Sequence, residues 1–250
     1  MLNAMNKSVD LFWPSVPRPG NVGDILTPWM LLKSSIQPRW VSKDSSNKIL
    51  GIGSIARWAK PGDHVWGAGI FNRTDYLTPE AIYHAVRGPL TRQRVLDCGG
   101  KCPEIYGDPA LLLPRLLDTT NIPIQYKLGV VPHYADQASF DYSLFPPDTT
   151  TFINVLNARP EYVIAHICSC ERIISSSLHG IIIAHAYNIP ARWVQFTDRL
   201  HGDDVKFLDY FLSISIEPYD PVMPPDFDES IEPVNLTIDL DAIWDARPWK

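Results

Sequence analysis

An α/β fold whose two halves face one another across a cleft is predicted by three features of this 250-residue chain. Short apolar runs alternate with segments of helical apolar spacing, twice over, which is the pattern of largely parallel sheets with helical crossovers. A polar stretch containing proline, LDTTNIPIQY at 117–126, separates the two alternations and marks a linker between a half over 1–120 and a half over 121–250. Several strand ends run into glycines, serines or a charged residue just before a helix, and such junctions are where open α/β sheets bind ligands.

Taken in order, the first half offers strands over 9–13, 48–52, 64–68 and 82–86, each stopping at glycine, proline or a polar turn. Helices are predicted over 25–33 and 90–97, the second opened by Pro89, whose missing amide hydrogen costs nothing in a first turn. The second half reads as a strand over 127–132, a helix over 163–170, a strand over 172–175, a helix over 178–187, a strand over 191–196 and a helix over 205–212. Residues 217–233 are acidic and rich in proline, hence extended and exposed, and 240–249 forms a final helix that packs back on the body.

Composition narrows the function. With 45% hydrophobic and 20% charged residues the chain is an ordinary globular protein with a sizeable core. A net charge of −6 and a pI near 5.6 argue against a nucleic-acid partner, which would require a concentrated basic face. No apolar run approaches the roughly 20 residues that span a bilayer, and residues 1–10 lack a signal-peptide pattern, so a soluble cytoplasmic protein is expected. Cys98, Cys102, Cys168 and Cys170 read as reduced structural thiols, and no metal is expected. The glycine turns at 51–54 and 67–69 fit neither the dinucleotide fingerprint nor the phosphate-binding loop, which argues against nicotinamide and P-loop nucleotide chemistry.

The sharpest candidate site is ISSSLHGIIIAHAYNIP at 174–190. Ser175, Ser176, Ser177 and Gly180 stand where a strand hands over to a helix, whose N-terminus favours an anion. His179 either carries a proton there or merely caps the helix. Asp24, in NVGD at 21–24, is either the cap of the following helix or a cleft carboxylate, and capping alone does not ask for Asn21 as well. Arg87 ends a strand before Gly88 and Pro89, so its fork suits a carboxylate or phosphate at the cleft, the alternative being a salt bridge. Asp108 in GDP is a turn former or a second cleft carboxylate, and His133 follows a strand into the same cleft. Of the charges at Arg192, Arg199, His201 and Lys206, only Lys206, at a helix start, is favoured as an anion contact.

Together NVGD (21–24), VWGAGI (65–70), VRGPLTR (86–92), YGDPALLLP (106–114), LGVVPHY (128–134), the 174–190 segment and KFLDYF (206–211) resemble the polysaccharide pyruvyl transferase family. That resemblance implies two Rossmann-like halves facing a cleft, like the GT-B glycosyltransferase architecture. It also implies transfer of pyruvate from phosphoenolpyruvate to a hexose of a polysaccharide or its lipid-linked precursor, as a ketal, with release of phosphate. No cofactor is implied, phosphoenolpyruvate being a donor substrate, and the acceptor would place the enzyme at the inner face of the cell membrane by peripheral association. Arg87 and His179 match the family's arginine and histidine motifs. The chemistry calls for an acid and a base, assigned to His179 and Asp24 in exchangeable roles, with Arg87 on the donor's charge. The competing readings are a nucleotide-sugar glycosyltransferase on the same architecture and a non-catalytic sugar-binding module.

Overall fold

The computed structural model describes residues 7–18, 20–138, 140–197, 203–223 and 231–249. Two all-parallel sheets organise it. The first contains β1 (Ser8–Phe12), β2 (Gln37–Trp40), β3 (Ile49–Leu50), β4 (His64–Trp66) and β5 (Ile82–Ala85), in the order β2-β1-β3-β4-β5. The second contains β6 (Leu128–Val131), β7 (Thr150–Phe152), β8 (Ile173–Ser175) and β9 (Ala191–Trp193), in the order β7-β6-β8-β9. Both are consistent with a Rossmann-like fold. Parallel neighbours need crossovers, supplied by α1 (Val22–Lys33), α3 (Pro160–Cys168) and α4 (Leu178–Ala186) among other connections, while α2 (Pro89–Asp97) follows the last strand of the first sheet and α5 (Val205–Ser213) the last strand of the second.

Strand order positions the site. In each sheet the chain leaves its first strand to one side and returns on the other, so order reverses between β1 and β3 and again between β6 and β8. At such reversals the connections leave in opposite directions and open a crevice beyond the carboxyl ends of the strands. Pro14 and Val16 follow β1, Gly53, Ser54, Ile55, Arg57 and Trp58 follow β3, His133 and Tyr134 follow β6, and Ser177 follows β8; all of them line one cleft.

The halves share a core. One apolar cluster runs from Leu11, Val22 and Trp66 through Leu112 to Ile164, Ile182 and Phe211, all buried. The Val22 amide donates to the Val155 carbonyl at 2.8 Å, and Asn21 and Leu156 form an isolated antiparallel bridge across the halves. At the C-terminus α6 (Leu240–Asp245) returns to the first half, where Trp66 Nε1 donates to the Ile243 carbonyl at 2.8 Å and the Trp249 ring meets Trp66 edge-on at 4.7 Å.

Two strands escape the sequence pattern for a common reason. β2 and β7 lie at sheet edges, one reading QPRW and largely exposed, the other only three residues long, so neither carries a buried apolar run. Among the described residues no helix is long and apolar enough to cross a membrane.

Candidate active site

At the base of the cleft α1 and α4 bring their first turns together. Asn21 caps α1, its side chain accepting from the Gly23 amide at 3.2 Å, which places Asp24 inside the first turn and facing the cleft. Gly23 is needed by sterics: a Cβ there would lie 2.1 Å from His179 Nδ1. The imidazole therefore rests on the α1 backbone, and its Nε2 faces Asp108 Oδ2 at 3.5 Å. Asp108 is wholly buried at the start of a 3-10 segment, Pro109–Arg115, where its other oxygen accepts from the Ala110 amide at 2.9 Å. Neither Asp108 Oδ2 nor His179 Nε2 makes a hydrogen bond to the described residues, so each is the other's nearest polar partner of opposite charge type.

Electrostatics separate the two groups that face the cleft. Burial pushes the Asp24 carboxyl up to about 7, with His179 opposing the shift. Such a group is poised to exchange a proton near neutral pH. Across the cleft Lys206, in the first turn of α5, is pulled down to about 8 by burial, helped by the nearby charge of Arg87. Ser177 is the N-cap residue of α4, lines the cleft and lends no side-chain cap bond. Asn21 and His133 also line it, His133 accepting at Nδ1 from the Ala135 amide at 3.2 Å. The cavity these residues enclose holds about 330 Å³.

Other candidates lie elsewhere than the sequence suggests. Arg87 is not at the cleft surface but wholly buried beneath it, with Nε on Asp209 Oδ2 at 3.2 Å, Nη1 on Ser54 Oγ at 2.8 Å and Nη2 on the Ile70 carbonyl at 2.7 Å. A guanidinium out of water requires such partners, and its edges are taken before any ligand arrives. Ser175 is likewise internal: its hydroxyl donates toward the Val131 and Ser177 carbonyls and accepts from the Ser177 amide. Ser176 donates to buried Asp136 at 2.5 Å and accepts from the His133 amide at 2.9 Å. Gly180 is a packing residue, because a Cβ would lie 2.4 Å from Ser175 Oγ. Asp108 is a buried partner of His179, not a cleft carboxylate. The cap of α1 is Asn21, not Asp24. Arg199 and His201 lie outside the described residues. Cys98, Cys102, Cys168 and Cys170 are unpaired thiols, and among the described residues no group of three or more His, Cys, Asp or Glu could hold a metal ion.

Sequence reasoning missed Arg57, Trp58, Phe71 and Tyr134, which also line the cleft. Arg57 and Trp58 sit in a three-residue 3-10 turn, Ala56–Trp58, too short to show any periodicity. The available signal was position: they follow the glycine turn at the carboxyl end of β3, beside the reversal of strand order.

A family model described as polysaccharide pyruvyl transferase matches residues 49–195, which include Arg57, His133 and His179. The chain is 33% identical over 171 residues to the uncharacterized protein L143 of Acanthamoeba polyphaga mimivirus, covering 66% of this chain and 60% of that protein. It is 30% identical over 190 residues to the succinoglycan biosynthesis protein ExoV of Rhizobium meliloti (strain 1021), covering 72% of this chain and 57% of that protein. This chain thus spans about three fifths of the length of these relatives. No solved structure matches significantly. The family match takes in more than half of the chain, and the chain belongs to the polysaccharide pyruvyl transferase family.

Proposed function

We propose that the chain transfers pyruvate from phosphoenolpyruvate to two hydroxyls of one hexose, in a polysaccharide or its lipid-linked precursor, forming a ketal and releasing phosphate. The observation that carries this reading is the pairing of Asp24, a carboxyl near 7, with His179, backed by buried Asp108, in a cleft that also presents Lys206. The family membership and the relative named for succinoglycan biosynthesis support a polysaccharide acceptor.

The chemistry asks for what those residues can give. A first sugar hydroxyl loses its proton to Asp24 and bonds to the central carbon of the donor, while the methylene carbon takes a proton from His179 and becomes a methyl. The carbon–oxygen bond to phosphate then breaks, the second hydroxyl attacks the same carbon, and its proton leaves with the phosphate through the same pair. Nε2 of His179 faces Asp108, so Nδ1, on the Gly23 side, is the nitrogen that exchanges the proton. Asp108, 3.5 Å from Nε2, positions the ring without touching substrate. The donor's phosphate is met by Lys206 and the α4 N-terminus, a point charge beside outward amides. Catalysis takes place beside a membrane, at its cytoplasmic face, where lipid-linked acceptors are presented, and the two-sheet cleft serves the same purpose as in GT-B enzymes.

The test is calorimetric titration with phosphoenolpyruvate beside UDP-, GDP- and CDP-linked sugars, followed by phosphate release with candidate acceptors. Saturable binding of phosphoenolpyruvate is expected, and His179→Ala should keep donor binding while turnover falls at least a hundredfold. Selective binding of a nucleotide sugar would overturn the reading in favour of glycosyl transfer, and near-normal turnover by His179→Ala would remove that residue from the chemistry.

A further inference from the structure

With Arg87 sealed below the floor by Asp209, Ser54 and Ile70, the cleft needs another guanidinium if a planar carboxylate is to be met in kind. Arg57 lines the cleft opposite in chain origin to Lys206, one from the first half and one from the second. Its guanidinium carbon lies 4.5 Å from the Phe71 ring centroid and 5.0 Å from that of Trp58. Two rings this close hold the side chain at its π faces, where it has no hydrogen to give, and leave the N–H bonds at its edge. Asp75 stands 3.8 Å from Nη1, an ion pair too long for a hydrogen bond, and its Oδ2 already accepts from the Phe71 and Asn72 amides at 2.7 and 3.2 Å. Among the described residues the Arg57 guanidinium makes no hydrogen bond, although only 31% of its side chain is exposed. A half-buried guanidinium held in place by two rings and one loose carboxylate is oriented yet unspent.

From these contacts we infer that Arg57 is a specificity-determining residue that receives the carboxylate of the donor through its free edge, opposite a phosphate pole at Lys206; this rests on the pyruvyl transfer proposed above. The fork of two parallel N–H donors matches a carboxylate, whereas the compact ammonium of Lys206 suits the phosphate. Two poles of different chemistry fix which end of the donor faces each half of the chain, and so which carbon face meets Asp24 and His179. The ring pair keeps the guanidinium from collapsing onto Asp75 when the cleft is empty.

Calorimetry on the full chain decides it, with phosphoenolpyruvate and with ethyl phosphate, which keeps the phosphate ester and lacks the carboxylate. Arg57→Met should weaken phosphoenolpyruvate at least tenfold and leave ethyl phosphate within twofold. Arg57→Lys should recover little of the loss, because one ammonium does not reproduce the fork. Unaltered phosphoenolpyruvate affinity in Arg57→Met, or an equal loss for both ligands, overturns the assignment while the pyruvyl reading stands. Failure of the unsubstituted chain to bind phosphoenolpyruvate overturns that reading, and the assignment with it. Thermal midpoints of both variants within about 3 °C of the unsubstituted chain are expected, since Arg57 makes only ring contacts and one long ion pair.

Discussion

Replacing Asp24 by asparagine separates the carboxylate's chemistry from its cost to the fold. Folding encloses this side chain in the cleft and raises its ionisation from 3.8 to about 7. The folded chain therefore holds a proton that the unfolded chain has released, so stability declines as pH rises from about 4 to about 7 and is level above. Full conversion at 1.36 kcal/mol for each tenfold change gives about 4 kcal/mol, and the water-filled cleft on one side reduces this to about 2 kcal/mol. Asparagine has the same shape and never ionises. The variant should match the parent chain near pH 4, where both side chains are neutral, and exceed it at pH 8 by about 2 kcal/mol, or about 4–8 °C in thermal midpoint for a chain of this size. Scanning calorimetry at pH 4, 6 and 8 measures the difference, and phosphate release at pH 8 should fall at least a hundredfold in the same protein. A gain equal at all three pH values would refute the argument, because it would have nothing to do with ionisation.

Two further substitutions probe how the site is built. Arg87→Met leaves Asp209 buried without its cation and should cost about 3–5 kcal/mol, a drop of about 10 °C in thermal midpoint, with Arg87→Met/Asp209→Asn recovering part of it; an unchanged midpoint would show that the pair carries no weight in the fold. Gly23→Ala drives a methyl group to within 2.1 Å of His179 Nδ1 and should displace the ring from Asp108, cutting turnover at least tenfold while α1 persists by circular dichroism; normal turnover would mean that the imidazole is not seated on the α1 backbone.

The division of labour between sequence and structure follows from what each residue faces. Central strands such as β6 and β8 were legible because burial on both faces demands continuous apolar runs, LGVV and IIS with its neighbours. Edge strand β2 is largely exposed and edge strand β7 is only three residues long, so neither leaves such a trace. The junctions were legible too, since glycine, serine and histidine after an apolar strand have few other uses, and His179, Asp24, Asn21, Ser177, His133 and Lys206 do meet in one cleft. Which side chains at a junction face outward was not legible. Ser175, Ser176 and Ser177 are neighbours in sequence, yet the first two turn inward to bond Val131, Ser177 and Asp136 while the third lines the cleft. For Arg57 the sequence offered only its position after a glycine turn, because its orientation depends on two rings and a turn of three residues.

The placement of Arg87 explains how a motif arginine serves a cleft from beneath it. Arg87 follows β5, and its partner Asp209 lies on α5, three residues after Lys206. Asp209 also accepts from the Thr91 amide at 3.0 Å and the Thr91 hydroxyl at 2.6 Å, so α5 of the second half is clamped to the start of α2 in the first. Gly88 permits the approach, for a Cβ there would lie 1.9 Å from the Asp209 carbonyl oxygen. Through Nη1 the same guanidinium holds Ser54, on the cleft wall after β3. One buried cation thus fixes both the wall that carries Arg57 and the helix that carries Lys206, and its charge lowers the proton affinity of Lys206. A fixed distance between those two cations is what the proposed donor, with a carboxylate at one end and a phosphate at the other, would require, and Arg87 can set it without touching either group.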